Sequence, residues 1–229
     1  MITVIIPAFE EEGHIGKLVR YLKTEAVHPG FSEILIVDGN SRDRTVREAE
    51  DAGAHVIVTS KKGRACQMNK GARHARGSVF FFLHADTFPP ETFAGDILGA
   101  VSRGKQAGCF RLSFDDPHII LRLYGWFTRF DINVFRYGDQ GLFITKELFE
   151  TAGGFDESLL VMEDNEIIRR IKNLGNYFII PKKVVTSARK YRDNGVIRLQ
   201  LVFVLIFIMF NLGVSQERLV RVYKRLIES

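Results

Sequence analysis

Short apolar runs and longer mixed stretches alternate through the first hundred residues. Thr3–Ile6, Glu33–Val37, His55–Thr59 and Val79–Leu83 are enriched in Val, Ile and Phe, the composition of strands. Between them, Ile15–Lys23, Arg44–Ala52 and Gln67–Arg76 have helical spacing or composition. Asp43 stands as a cap before the second of these and Gly53 as its stop. Glu91–Val101, opened by Pro89-Pro90 and closed near Gly104, predicts a fourth helix. Repeated strand–helix–strand units of this length predict an α/β fold: one domain with a mostly parallel central sheet flanked by helices.

The second half is less regular. Ala107–Phe114 predicts a strand leading into the Asp115-Asp116-Pro117 turn, Gly141–Thr145 and Tyr177–Ile180 predict two more, and Lys146–Ala152 and Asp164–Leu174 predict helices stopped by Gly153-Gly154 and Gly175. The aromatic stretch Ile119–Phe130 is helical in spacing and is read as core packing, with acceptor recognition as the alternative. Leu201–Phe210 is an uninterrupted apolar run, too short for the roughly 20 residues that cross a bilayer. Arg189, Lys190 and Arg192 precede it, and Arg218, Arg221, Lys224 and Arg225 follow. A helix lying in a membrane interface and one buried on the sheet or in a homodimer contact both fit.

Charge sharpens this division. The whole formal net charge of +5 lies in residues 189–229, which hold 8 Lys and Arg against 3 Asp and Glu; the preceding residues balance at 24 of each. A nucleic-acid binder would more naturally spread its positive charge over a folded face, so no nucleic-acid partner is expected. The reading is a unit over residues 1–190 and a helical, apolar and basic tail over residues 191–229. Cys66 and Cys109 form neither a disulfide framework nor a Cys-x-x-Cys pair, and Ile2–Ile6 is too short for a signal peptide. Both features predict a cytoplasmic location, peripheral to the inner face of the membrane if the tail binds it.

The chemistry gathers at strand ends, where open α/β sheets bind ligands. Val79–Leu83 runs into His84-Ala85-Asp86, which places Asp86 where a carboxylate can hold a metal ion or a metal-bound phosphate. Glu10-Glu11-Glu12 follows the first strand, Asp38-Gly39 ends the second, and Glu163-Asp164 opens a helix. The glutamates stand where a dinucleotide-binding fold needs G-x-G-x-x-G, and no Walker A loop exists, so neither NAD nor P-loop chemistry is expected. Lys61-Lys62-Gly63-Arg64 is either a phosphate contact or a solvated charge run. Gly138-Asp139-Gln140-Gly141 is either a pocket wall or a plain turn. His14, His28, His55, His74 and His118 lack ligand spacing.

Taken in order, these segments resemble the family 2 glycosyltransferases, nucleotide-sugar enzymes of the glycosyltransferase A fold. Val4-Ile5-Ile6-Pro7 through Glu11-Glu12 is similar to the first family motif, with Glu10 where Asn is usual. Asp38-Gly39-x-Ser41-x-Asp43-x-Thr45 is similar to the second. Gly63-Arg64 through Asn69-x-Gly71-x-x-x-Ala75-x-Gly77 resembles the third. His84-Ala85-Asp86 stands for Asp-x-Asp, as in a short bacterial subgroup, and Gly153-Gly154-Phe155-Asp156 with Glu163-Asp164 resembles the acceptor-side motif. The likeness spans residues 1–190.

It implies an inverting transferase moving a sugar from a nucleotide-sugar donor, UDP-linked, to an acceptor hydroxyl, with a lipid-linked acceptor among the candidates. Asp164 would be the catalytic base and Asp86 the ligand of Mg²⁺ or Mn²⁺. Glu11 and Asp38 would contact the uracil–ribose part of the donor. Pro7, Arg64, Asp139, Gln140, Glu163 and Arg189 complete the substrate-binding set, Arg189 closing over the diphosphate. A non-catalytic nucleotide-sugar-binding scaffold of the same fold is the alternative.

Overall fold

The computed structural model describes residues 1–227 apart from Glu25, Val27, Lys62 and Asn176, and all but the side chain of Ser32. Lys62, part of the basic segment singled out above, lies outside the described residues. The chain runs β1 (Ile2–Ala8), α1 (Ile15–Thr24), β2 (Phe31–Asp38), α2 (Thr45–Asp51), β3 (His55–Val58), α3 (Arg64–His74), β4 (Val79–Phe82), β5 (Thr87–Phe88) and α4 (Phe93–Ser102). It continues through β6 (Ala107–Phe114), α5 (Ile119–Phe127), β7 (Leu142–Thr145), α6 (Lys146–Thr151), α7 (Glu163–Asn173), β8 (Tyr177–Thr186), α8 (Arg189–Asn194), α9 (Val196–Asn211) and α10 (Gln216–Ile227). The expected α/β architecture with a mostly parallel sheet is what the chain adopts.

One sheet orders its strands β3-β2-β1-β4-β7-β6-β8-β5. The first four are parallel, β7 is antiparallel to both neighbours, and β6 and β8 are parallel again. Alternation along β1 sends Val4 and Ile6 into one core layer and Ile5 into the other. Phe81 likewise opposes Phe80 and Phe82, so the run at the end of β4 is apolar because both its faces are covered. From β1 the chain goes to β2 on one side, then returns to β4 on the other. The crevice between the ends of β1 and β4 is therefore a topological switch point, where such sheets place ligands.

The second half departs from the sequence reading in ways that have physical causes. Strand β8 does not stop before Pro181 but runs on to Thr186. Its register against β6 jumps from Phe110↔Ile180 to Arg111↔Lys183, so Pro181 sits in an irregularity where its missing N–H breaks no ladder. That extension lets the two-residue β5, just after Asp86, pair with Val185 and Thr186. Helix α3 starts at Arg64, earlier than expected, because Gly63 takes φ +106° and turns the chain into it. Helix α5 is half core and half surface: Leu121, Tyr124 and Gly125 are buried, while Ile119, Leu123, Trp126 and the following Phe130 are exposed. Core packing describes only its inner side.

The tail docks on the folded unit. On α9, Leu199, Val202 and Ile206 are buried among side chains of α5, α8 and α10, and Ile197, Leu201, Leu205, Ile208 and Leu212 remain exposed. Buried packing and an exposed apolar face thus coexist on one helix. No helix of the described residues is long and apolar enough to cross a membrane.

Two loop systems fix the strand ends. The turn after β1 exposes four successive N–H groups, and side chains after β2 accept each one: Glu10 N to Ser41 Oγ (2.9 Å), Glu11 N to Thr45 Oγ1 (2.8 Å), Glu12 N to Asp43 Oδ2 (3.2 Å) and Gly13 N to Glu48 Oε2 (2.7 Å). Asp43 also accepts from the Thr45 N–H at 3.0 Å, closing a local turn, while the cap position of α2 falls to Arg44 rather than to Asp43 as expected. On the other face, buried Asn69 of α3 donates to Phe155 O (2.8 Å) and accepts from Phe155 N (2.9 Å). Gly154, at φ +70°, has no room for a side chain there: a Cβ would lie 2.9 Å from Asn69 Oδ1. Asn69→Ala orphans both buried Phe155 backbone groups. It should lower stability by about 2–3 kcal/mol, read as a shift in the urea midpoint with an unchanged slope.

Candidate active site

A cavity of about 480 Å³ opens at the β1/β4 switch point. Glu11 enters from the turn after β1, and His84 and Asp86 from the segment after β4. Arg64 comes from the start of α3, Asp139 from a short 3-10 turn over Gly138–Gln140, and Glu163 and Asp164 from the first turn of α7. Met162, left-handed at φ 68°, turns the chain into α7 so that both acids face inward. Opposite them, Leu160, Val161, Phe203, Ile206 and Tyr223 form an apolar wall.

Of the residues singled out by sequence, Pro7, Glu11, Arg64, Asp86, Asp139, Glu163 and Asp164 line this cavity. Arg189 is at its edge, with Nη2 3.4 Å from Glu11 Oε2. Asp38 does not reach it. Fully buried, Asp38 accepts from Ser41 N (2.8 Å) and Ser41 Oγ (2.5 Å) and so holds the turn that in turn holds Glu10–Gly13. Gln140 also lies off the lining, fully buried, bonded to the Arg136 guanidinium and to Phe135 O. Arg136, itself buried, donates further to Thr128 O and Phe130 O. That pair sets the loop carrying Asp139.

The electrostatics of the cavity are those of crowded carboxylates. Arg64 Nε lies 2.8 Å from Glu163 Oε1, and Arg64 Nη1 lies 3.2 Å from His84 Nε2. His84 Nε2 is 3.8 Å from Asp164 Oδ2. Burial pushes the Asp164 carboxyl up, but His84 and Arg64 outweigh it and hold the group below the usual carboxylate range. Its neighbour Glu163 is displaced upward by burial, which Arg64 only partly offsets. Asp139 is pushed up to about 6 by burial, with Asp164 and Asp86 adding to it. Burial and Asp86 also raise Glu11. Burial and Arg64 lower Lys190, at the cavity's edge. The site thus contains acids driven in opposite directions, the pattern of functional carboxylates.

Gly138 makes this packing possible. A Cβ there would fall 2.2 Å from Asp164 Oδ2 and 2.6 Å from His84 Nε2. The residues that sequence reading missed are Tyr137 and the wall of Phe203, Ile206 and Tyr223, while Lys190 belongs to the basic segment after β8 that the sequence offers as closing over a diphosphate. The tail residues carry no motif, and the unbroken apolar run of α9 does not tell in sequence which face turns inward.

The family 2 glycosyl transferase model matches residues 3–153. The chain belongs to this family. Among curated proteins it is 24% identical over 217 residues to the glycosyltransferase AglJ of Haloferax volcanii, covering 87% of this chain and 70% of that one. It is 36% identical over 108 residues to the dolichol-phosphate mannosyltransferase of Mycosarcoma maydis, covering 42% of this chain and 37% of the relative. The chain therefore spans only part of these relatives' lengths. Among solved structures, a mannosyltransferase of Pyrobaculum calidifontis in complex with GDP-Man and Mn²⁺ superposes with TM-score 0.69 at 20% identity, covering 90% of this chain and 61% of that one. S. aureus TarS in complex with UDP-GlcNAc superposes with TM-score 0.66 at 16% identity, covering 89% and 66%. These structural likenesses establish the glycosyltransferase A fold.

The Asp139 environment generates a pH prediction for the protein free of metal and nucleotide. Unfolded Asp139 ionises near 3.9 and the folded group near 6, so its ionisation opposes folding increasingly between those values and fully above 6. Asp139→Asn should therefore raise stability by about 3 kcal/mol at pH 8 and leave it nearly unchanged at pH 4. Urea denaturation of both proteins at the two pH values measures this.

Proposed function

We propose that this family 2 member is an inverting glycosyltransferase that moves a sugar from a UDP-linked donor to the hydroxyl of a lipid-linked acceptor. One observation carries the reading: Asp86 and Asp164 face the same cavity, and Asp164 is the acid there whose neighbours, His84 and Arg64, favour its charged form. An ionised carboxylate across the reacting carbon from the leaving group can take the acceptor proton as the oxygen attacks. A single displacement of this kind inverts the anomeric centre. The start of α7 adds its helix dipole in favour of the carboxylate.

The donor lies along the β1/β4 crevice in this proposal. Pro7 and Glu11 border it, Asp38 acts through the Ser41 turn that shapes the nucleotide side, and Arg64, Arg189 and Lys190 supply cations for the diphosphate. Among the described residues no three His, Cys, Asp or Glu side chains converge into a metal cage. That suits Mg²⁺ or Mn²⁺, which need only one or two carboxylates when substrate phosphates complete the shell. Asp86, with Glu11 near enough to feel its charge, fits as that ligand. The bound cation would offset the charge developing on the leaving diphosphate. His84, in place of the first carboxylate of the metal motif, keeps a further negative charge away from Asp164. We place the chain with short bacterial members carrying His-Ala-Asp.

The apolar wall supports the lipid-linked acceptor, because a free sugar would not use it. Two relatives with lipid phosphates in their names, the dolichol-phosphate mannosyltransferase and an undecaprenyl-phosphate 4-deoxy-4-formamido-L-arabinose transferase of Pseudomonas fluorescens, support it too. Residues 1–190 carry the chemistry and residues 191–229 close the acceptor end. The exposed row of α9 favours a peripheral position on the cytoplasmic face of the membrane.

Asp164→Asn should lower donor turnover by about 10²–10⁴-fold while UDP affinity stays within about twofold; undiminished turnover sinks the assignment. Release of free UDP from a panel of nucleotide sugars provides the assay, and a scaffold would release none. Asp86→Ala should abolish the Mn²⁺-dependent part of UDP binding in calorimetry.

A further inference from the structure

A second cavity, of about 760 Å³, lies apart from the catalytic carboxylates, between β6, β8 and the N-terminal part of α5. Four cations line it, Arg111, Arg122, Arg129 and Lys183, against two carboxylates, Asp115 and Asp116. Those carboxylates are already engaged, since Arg192 Nη1 lies 3.2 Å from Asp115 Oδ1 and 3.5 Å from Asp116 Oδ2. Arg129 is engaged as well, stacked 4.5 Å from the centre of the Trp126 ring and donating to Trp126 O. Arg111, Arg122 and Lys183 have no carboxylate partner among the described residues, and the buried Arg111 Nε has no hydrogen-bond acceptor.

A buried guanidinium N–H without an acceptor is costly unless an anion completes it, and the exposed Arg122 and Lys183 add positive charge beside it. Arg and Lys on adjacent strands, paired in register as Arg111↔Lys183, present donors suited to a phosphate. The rim of the same cavity is apolar. Ile119, Leu123 and Trp126, one row along α5, are 67%, 53% and 44% exposed. A soluble anion would leave this row in water. A phosphate carrying acyl chains satisfies both parts, with the headgroup on the cations and the chains along α5.

We propose that this cavity is a seat for the phosphate headgroup of an anionic membrane lipid, and that α5 docks on the bilayer beside the exposed row of α9, which it contacts. The site is separate from the glycosyl-transfer reading, and nucleotide binding provides an independent readout. Anionic lipid attracts each basic residue near the surface by about 1 kcal/mol, on the order of fivefold per charge removed.

Sedimentation with phosphatidylcholine vesicles, with and without about one-third phosphatidylglycerol, tests the proposal. The full chain should pellet only with the anionic vesicles, and less so as salt rises. Arg111→Gln with Lys183→Gln should weaken this by at least tenfold. Leu123→Asp or Trp126→Asp should weaken it by a further tenfold or more, leaving what the α9 row supplies, and Trp126→Phe should retain it. UDP affinity, measured in parallel, should not change in any variant, which shows that the fold and the catalytic cavity are intact. Failure of the wild-type chain to pellet, or unchanged binding by the charge variants, overturns the proposal. Binding of glycerol 3-phosphate as tight as that of vesicles and dependent on Arg111 overturns the lipid part in favour of a soluble anion. A dimer in light scattering that Trp126→Asp dissociates, without vesicle binding, assigns the face to a second copy instead and equally overturns it.

Discussion

Everything around the cavity answers one constraint: five carboxylates, those of Glu11, Asp86, Asp139, Glu163 and Asp164, face one space of about 480 Å³. Like charges at such spacing cannot all be ionised at once without compensation. Arg64 answers part of this by contacting Glu163 and His84 together. The rest is met by displacement, with Asp139 and Glu163 pushed toward their neutral forms and Asp164 held charged. The division follows from geometry. Asp164 is the acid nearest His84, while Asp139 meets Asp164 and Asp86 as like charges.

Such a balance survives only if the groups cannot drift apart, and the scaffold supplies that rigidity through backbone rather than through the acids themselves. The Ser41–Glu48 side chains accept the N–H groups around Glu11. Asn69 ties α3, which begins with Arg64, to the Phe155 segment that leads into α7. Arg136 and Gln140 set the loop of Asp139. Two residues read from sequence as substrate contacts lie outside the cavity lining. Asp38 and Gln140 hold the turns from which the cavity's own side chains project.

How far the chain could be read before its structure was seen follows the same physics. The alternating first half was legible because each βαβ unit is local, and a strand covered on both faces, such as Val79–Phe82, writes its burial as an unbroken apolar run. The cavity acids were legible because a carboxylate at the end of such a strand has no structural reason to be there. Strand β8 was cut short at Pro181 because a proline reads as a stop, and only pairing with β6 reveals the irregularity that absorbs it. Helix α5 read as core because its aromatics repeat at helical spacing, yet spacing does not say which face meets the sheet. The apolar wall was invisible for a plainer reason. Phe203 and Ile206 lie far in sequence from every motif, on a helix whose buried and exposed faces are equally apolar, and Tyr223 lies farther still, on α10.

The position of that wall in the chain has a consequence for how the protein comes into being. Chains emerge from the ribosome N-terminus first, so every candidate catalytic residue, from Glu11 to Asp164, is made before Phe203. The sheet and its carboxylates can assemble while the crevice is still open to water, where ionised acids cost little. Their mutual repulsion grows when α9 and α10 arrive and place Phe203, Ile206 and Tyr223 along one side of the cavity. The wall made last is the one that turns a hydrated cluster of acids into a low-dielectric pocket.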